Sequence, residues 1–156
     1  MFENKTDKDY LKIAVRQAEK SLKLGGFPAG AIIVKNGKII SKGVSLGFKR
    51  NDPTEHAETS SIRKACKKLK TINLSGAILY ASLQPCLMCF STANWAGISK
   101  IVFGCKKTEK MIKSGCYEGK NDIYKINNNN KRKIELIYIS DYENQSLELI
   151  KKWDKK

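Results

Sequence analysis

The chain lacks any apolar run approaching the ~20 residues that span a bilayer; its longest, the run ending at Val34 and Ile101–Phe103, are far shorter. Its start, MFENKTDKDY, lacks the apolar stretch of a signal peptide. A membrane partner is therefore not expected, and a soluble, cytoplasmic protein is. The chain has one histidine and, of its thirty cations, only four arginines. Arginine is the favoured residue for bidentate contacts to phosphates and bases, so the net charge of +15 argues only weakly for a nucleic-acid partner. Residues 1–55, 56–105 and 106–156 each carry a net +5, so no segment is a basic tail. RNA remains open as a partner. The five cysteines, odd in number and irregular in spacing, argue against a disulfide framework and for a metal site plus spectators. There are no internal repeats and no long linker, and 156 residues suit one domain with its own core.

The apolar spacing predicts a first helix from about Asp7 to Leu24, capped by Thr6 or Asp7 and ended by Gly25-Gly26. AGAIIVKNGKIISKGV reads as two strands about Asn36-Gly37, a strong two-residue hairpin signal. Irregular polar residues follow as far as NDPTEH. A helix is then expected over Thr54–Leu69, a strand over Ala77–Ser82, a helix over Pro85–Ala96 and a strand over Lys100–Gly104. Beyond these come a short helix at TEKMIKSG, a polar loop at Asn127–Asn130, a strand at IELIYI and a final helix at about 144–153. This order implies an α/β fold of three layers, α/β/α, with about five strands in a mixed sheet and helices on both faces. Ala77–Gly104 should form a right-handed crossover between parallel strands, and its helix would start at a strand's carboxyl end, where open α/β sheets place their sites.

That helix start carries LQPCLMCF. Cys86 and Cys89, at i and i+3, share one face, which continues through Phe90 and Ala93. A Cys-x-x-Cys pair alone is redox-active, metal-binding or incidental. Thiolates form more readily in the opening turn of a helix, however, and two that converge there are half of a zinc site. The other half is sought at His56, in PTEHAET. Glu58 heads the apolar stripe formed by Ile62, Ala65, Cys66 and Leu69, and a carboxylate aimed inward there needs a partner. Residues 56 and 58, both in the first turn, can reach one site just beyond the helix end.

His-Ala-Glu followed by Pro-Cys-Leu-Met-Cys resembles the signature of the cytidine deaminase superfamily, H-x-E then P-C-x-x-C. GGFPAGAIIVKNGKII, NDPTEHAET, IRKACKKL, ILYASLQPCLMC and ISKIVFG are similar, in order and spacing, to bacterial guanine deaminases and tRNA adenosine deaminases, over roughly residues 8–140. The resemblance implies a single deaminase domain over 1–156 and one Zn²⁺ held by His56, Cys86 and Cys89, with the fourth position left to water. It implies Glu58 as the proton carrier in hydrolysis of a nucleobase or nucleoside amine, purine of the guanine type being favoured over the tRNA wobble adenosine. It also implies a homodimer formed through helices beside the zinc, and substrate contacts at Ser45, Ala57, Trp95 and Glu118. Trp95, followed by Ala96 as in guanine deaminases, reads as core or site wall.

Two alternatives stay open: a closed Cys₃His zinc with Cys105 or Cys116 as fourth ligand, and an idle family member acting as a binding module. The chain also departs from its relatives. Two residues after Gly43 they commonly carry asparagine, and this chain has Ser45, whose hydroxyl cannot make the same paired contact. Gln84 stands where glutamate is common. CYEG, at 116–119, replaces an acidic pair, for which Glu118 partly compensates.

Overall fold

The computed structural model describes residues 4–154. The amino-terminal helix α1 (Asp7–Lys23) is opened by Thr6, which exchanges hydrogen bonds with Asp9 in a capping box. A hairpin follows, β1 (Phe27–Lys35) and β2 (Lys38–Ser45), and its turn residues Asn36 and Gly37 both have positive φ (52° and 74°), as the tight turn requires. Next come a single turn α2 (Gly47–Arg50), α3 (Ala57–Leu69), β3 (Ile78–Ala81), α4 (Leu87–Trp95) and β4 (Lys100–Phe103). The chain continues through α5 (Glu109–Lys113), α6 (Ile123–Asn129), β5 (Glu135–Tyr138), a 3₁₀ turn at Ser140–Tyr142, and α7 (Glu143–Asp154).

The strands form one five-stranded mixed sheet in the order β2-β1-β3-β4-β5. β1 runs antiparallel to β2 and β3, whereas β3, β4 and β5 are parallel, so the crossover expected over 77–104 is present. Alternation along β1 sorts its side chains between two cores. Ile32 and Val34 join Leu11 and Ala14 of α1 on one face; Ala31 and Ile33 join Ile62 of α3 and Phe90 of α4 on the other. Helices therefore cover both faces. Among the described residues no helix is long and apolar enough to cross a membrane.

Two glycines let helices approach the sheet closely. A β-carbon at Gly30 would lie 2.2 Å from the Ala14 carbonyl of α1, and one at Gly43 would lie 2.1 Å from the Ala57 carbonyl of α3. The second contact seats the start of α3 on β2. β2 is a sheet edge, and two lysines of α3 reach its free carbonyls: Lys64 Nζ donates to Lys42 O (3.1 Å) and Lys68 Nζ to Ile40 O (3.3 Å). On the other face Asp7 ties α1 to the sheet, accepting from the Tyr80 hydroxyl (2.7 Å) and from Lys100 Nζ (3.0 Å). Burial works against its charge, but these two donors outweigh burial and leave the Asp7 carboxyl below the usual range.

Three local expectations change. α4 begins at Leu87 rather than Pro85, because Cys86 is extended (φ −69°, ψ 172°) and serves as the cap. The asparagine run is not wholly loop: Asn127 to Asn129 close α6, which buried Ile123 and the packed Ile126 anchor one turn apart. Asn127 faces the residue before β5, accepting from Ile134 N–H (2.9 Å) and donating to Ile134 O (2.8 Å). The polar stretch after β2 contains α2, whose last carbonyls are closed off by Asn51 in a left-handed conformation.

Gly30→Ala should lower stability to urea by about 2 kcal/mol or more, since the new methyl would meet the backbone of α1 at Ala14, Gln17 and Ala18, which cannot give way as a side chain could. Asp7→Asn tests the pH dependence. With a folded pKa below the unfolded one, the carboxylate stabilises the protein above about pH 4 and loses that effect as pH falls through the folded value. The variant should therefore melt lower than the parent at pH 7, with the gap closing in acid.

Candidate active site

The site lies where the amino ends of α3 and α4 meet. His56 caps α3 and Cys86 caps α4, both in extended conformation. The Thr59 hydroxyl accepts from His56 N–H (3.1 Å) and donates to Thr54 O, which fixes the backbone that presents the imidazole. The Cys86 sulfur accepts from Cys89 N–H (3.5 Å), so the first turn of α4 orients its own thiol pair. His56 Nδ1 lies 3.5 Å from each sulfur. The three donor atoms fall within 4.8 Å of one another, and among the described residues they form the one such cluster.

These distances fit a metal. A tetrahedral ion with zinc–sulfur bonds near 2.3 Å and zinc–nitrogen near 2.05 Å has nitrogen-to-sulfur edges of about 3.55 Å. One imidazole and two thiols at that spacing suit Zn²⁺, with a fourth side open. The closed alternative finds no fourth thiol, since neither Cys105 nor Cys116 joins the cluster. Cys105 is buried, which pushes its thiol up to about 12, and Cys116 is half-buried. Cys66 packs half-buried beside the core as a spectator.

Charge in the site is tightly shared. The sulfur-to-sulfur hydrogen bond with Cys89 holds the Cys86 thiol well below its ordinary range, aided by His56, and the same bond, burial and Glu58 hold Cys89 above it. The Cys86 sulfur beside it raises His56. Glu58, 5 % exposed, has Oε2 3.3 Å from Cys89 Sγ; burial first, and then the Cys86 sulfur, push its carboxyl up to about 7. The inward stripe behind it holds at Ile62 and Ala65, while Cys66 is half-buried and Leu69 is exposed at the helix end.

His56, Cys86 and Glu58 line a cavity of about 610 Å³. Ser45 and Glu118 line it too. Ser45 is held by Ser21, whose hydroxyl accepts from Ser45 N–H (3.0 Å), and Glu118 Oε1 accepts from Leu87 N–H at the start of α4 (3.1 Å). Gln84, also on the wall, organises the loop bearing Glu118: its amide oxygen accepts from Lys107 N–H (3.0 Å) and its carbonyl from the Tyr117 hydroxyl (2.7 Å). An amide oxygen suffices for the first of these bonds, so glutamine holds the loop without a charge.

Two expected contacts are not brought to the cavity. Ala57 is fully buried behind the site against Gly43. Trp95 is neither core nor wall: it is 87 % exposed at the end of α4 and lies off the cavity. It stands nine residues after Cys86, and at 100° per residue that is half a revolution from the ligand. Sequence reasoning missed Phe27, Phe48 and Tyr117 on the cavity wall. A lone aromatic in the polar stretch LGFKRND was the available signal for Phe48.

The model of the cytidine and deoxycytidylate deaminase zinc-binding region matches residues 4–105. The chain is 44 % identical over 94 residues to a tRNA-specific adenosine deaminase of Aquifex aeolicus, covering 60 % of this chain and 62 % of that protein. It is 43 % identical over 101 residues to a guanine deaminase of Bacillus subtilis, covering 64 % and 65 %. The matched segment thus spans a little under two thirds of these curated relatives. A solved structure of guanine deaminase from Bacillus subtilis superposes with a TM-score of 0.68 at 33 % identity, covering 97 % of this chain and 96 % of that one. With the matched region holding His56, Glu58, Cys86 and Cys89, the chain belongs to the cytidine and deoxycytidylate deaminase zinc-binding family.

Proposed function

We propose that this chain is a zinc-dependent hydrolytic deaminase that replaces the exocyclic amine of a nucleobase with oxygen. The observation that carries this reading is geometric. One nitrogen and two sulfur donors converge on a point beside a cavity, leave one side open, and have the Glu58 carboxylate beside them. A structural zinc would be closed by a fourth protein ligand and would leave Glu58 buried without a task. The same feature favours the enzyme over the idle binding module.

His56, Cys86 and Cys89 would hold zinc, which when bound would supply Lewis acidity that brings the pKa of a water toward neutrality. Beside the site where the metal would sit, Glu58 is placed to take a proton from an attacking water as the water's oxygen bonds to the carbon bearing the amine, and to pass the proton to the neighbouring ring nitrogen. The same carboxylate then carries the second proton to the amine, the carbon–nitrogen bond breaks, and ammonia leaves. Leu83, Met88 and Phe27 give the cavity an apolar wall, and Ser45, Gln84 and Glu118 offer polar groups to orient a base. A purine is favoured because the named relatives act on adenosine in tRNA and on guanine, both purines. The cavity volume holds a purine nucleoside as readily as a free base.

Glu58→Ala should keep one zinc per chain and lose about a thousandfold or more in ammonia release; an unchanged rate would reject the role given to Glu58. Cys86→Ser should bind less than one zinc per chain and lose most of the rise in melting temperature that zinc confers on the parent protein, measured with and without chelator. Ammonia release across guanine, adenine, cytosine, their nucleosides and an anticodon hairpin tests the substrate class. Purine compounds should react, and release from cytosine compounds alone would overturn the purine assignment.

A further inference from the structure

The cavity carries carboxylates and lacks a cation. Asp52, Glu58 and Glu118 line it, and among the described residues that do so none is lysine or arginine. Glu58 lies deep, beside the metal donors, whereas Asp52 and Glu118 come from two loops at the rim, where Phe48, Asn51 and Pro53 on one and Gly115 on the other are exposed. The cations nearby are turned to other acceptors. Arg50 and Arg63 pair with Glu55, Lys49 Nζ donates to Leu24 O (2.9 Å), and Lys107 Nζ donates to Gly119 O (3.0 Å) and to Asn121 O. Two thiolates would balance the charge of a zinc ion, so the metal side adds no net positive charge.

Asp52 is fixed where it stands. Its Oδ1 accepts from the Thr54 hydroxyl (2.7 Å) and from Thr54 N–H (2.8 Å), and these bonds hold its carboxyl below the usual range, hence ionised. Its own N–H donates to Gly47 O (3.0 Å), and its carbonyl accepts from Glu55 N–H (3.2 Å). The turn α2 beside it is closed by left-handed Asn51 and anchored by Phe48, whose ring packs on Trp153 of α7 (centroids 5.7 Å apart).

We infer that this site takes purine bases and nucleosides that carry no phosphate, and that Asp52 is the residue that turns phosphorylated forms away. The inference rests on the deaminase reading and narrows its substrate class. The carbon that reacts must lie beside His56 and Glu58, so the sugar of a bound nucleoside, attached across the ring system, faces the rim. A 5′-phosphate there brings about two negative charges to a mouth whose fixed charges are negative. It also loses water without gaining a cation. Discrimination then comes from a repulsive element as well as from fit. Water and salt reach Asp52, which limits its share to a severalfold effect.

The test is the ratio of kcat/KM for a reactive purine nucleoside to that for its 5′-monophosphate. In the parent protein it should be about tenfold or more. Asp52→Asn keeps an oxygen to accept from Thr54 and loses only the charge, and it should lower the ratio about fivefold. Added salt should lower the ratio in the parent and do less in Asp52→Asn. Binding is read separately by calorimetry in the Glu58→Ala protein, where the monophosphate should bind about tenfold more weakly than the nucleoside. A monophosphate or an anticodon hairpin used as well as the nucleoside would overturn the inference, as would a ratio insensitive to salt or unchanged in Asp52→Asn. Rejection of nucleoside and monophosphate alike, with the free base accepted, would make size the limit and overturn it too. If no compound releases ammonia the deaminase reading fails, and calorimetry still decides whether the rim repels phosphate.

Discussion

Two helices aim their amino ends at one point, and the site depends on that convergence. α3 and α4 each end in an extended capping residue, and those residues are two of the three metal donors. The positive ends of both helix dipoles favour negative charge there, which is the charge that thiolates and Glu58 supply. The helices are held to it by the sheet. α4 is the crossover between parallel β3 and β4, while α3 sits on β2 at Gly43, where a methyl group would collide with the Ala57 carbonyl one residue after the histidine. Sheet geometry is thereby converted into donor spacing.

Outside this convergence the cavity is assembled from parts far apart in sequence. Gln84 and Tyr117 join the end of the crossover strand to the loop of Glu118, and Lys107 adds bonds to Gly119 O (3.0 Å) and Asn121 O. Ser21 of α1 lies against the backbone of Phe27 and Ser45. Segments beyond the matched family region therefore form one wall, while the metal side is built within it.

Periodic features were readable in advance. The stripe of α3 placed Glu58 inward, the i, i+3 cysteines shared a buried face with Phe90 and Ala93, and Asn36-Gly37 turned the hairpin. The five-stranded mixed sheet followed from the order of elements. Trp95 failed for a physical reason: likeness to relatives was set against the helical angle from Cys86, and the angle prevailed. The contacts of Phe48 with Trp153 and of Gln84 with Lys107 link residues that no local pattern connects, so only the folded chain displays them.

The abundance of lysine has a use at the sheet edge that net charge does not express. Lys64 and Lys68 lie over the carbonyls that β2 presents to solvent, and Lys38 and Lys42 stand exposed on the strand itself. A second chain adding a strand there would have to displace two ammonium groups from their acceptors and bring its own lysines against four others. Open strands are routes to aggregation, and positive charge is a common means of closing them. The lysines thus keep copies of this protein apart along β2, and their loss would open the strand to ladder growth.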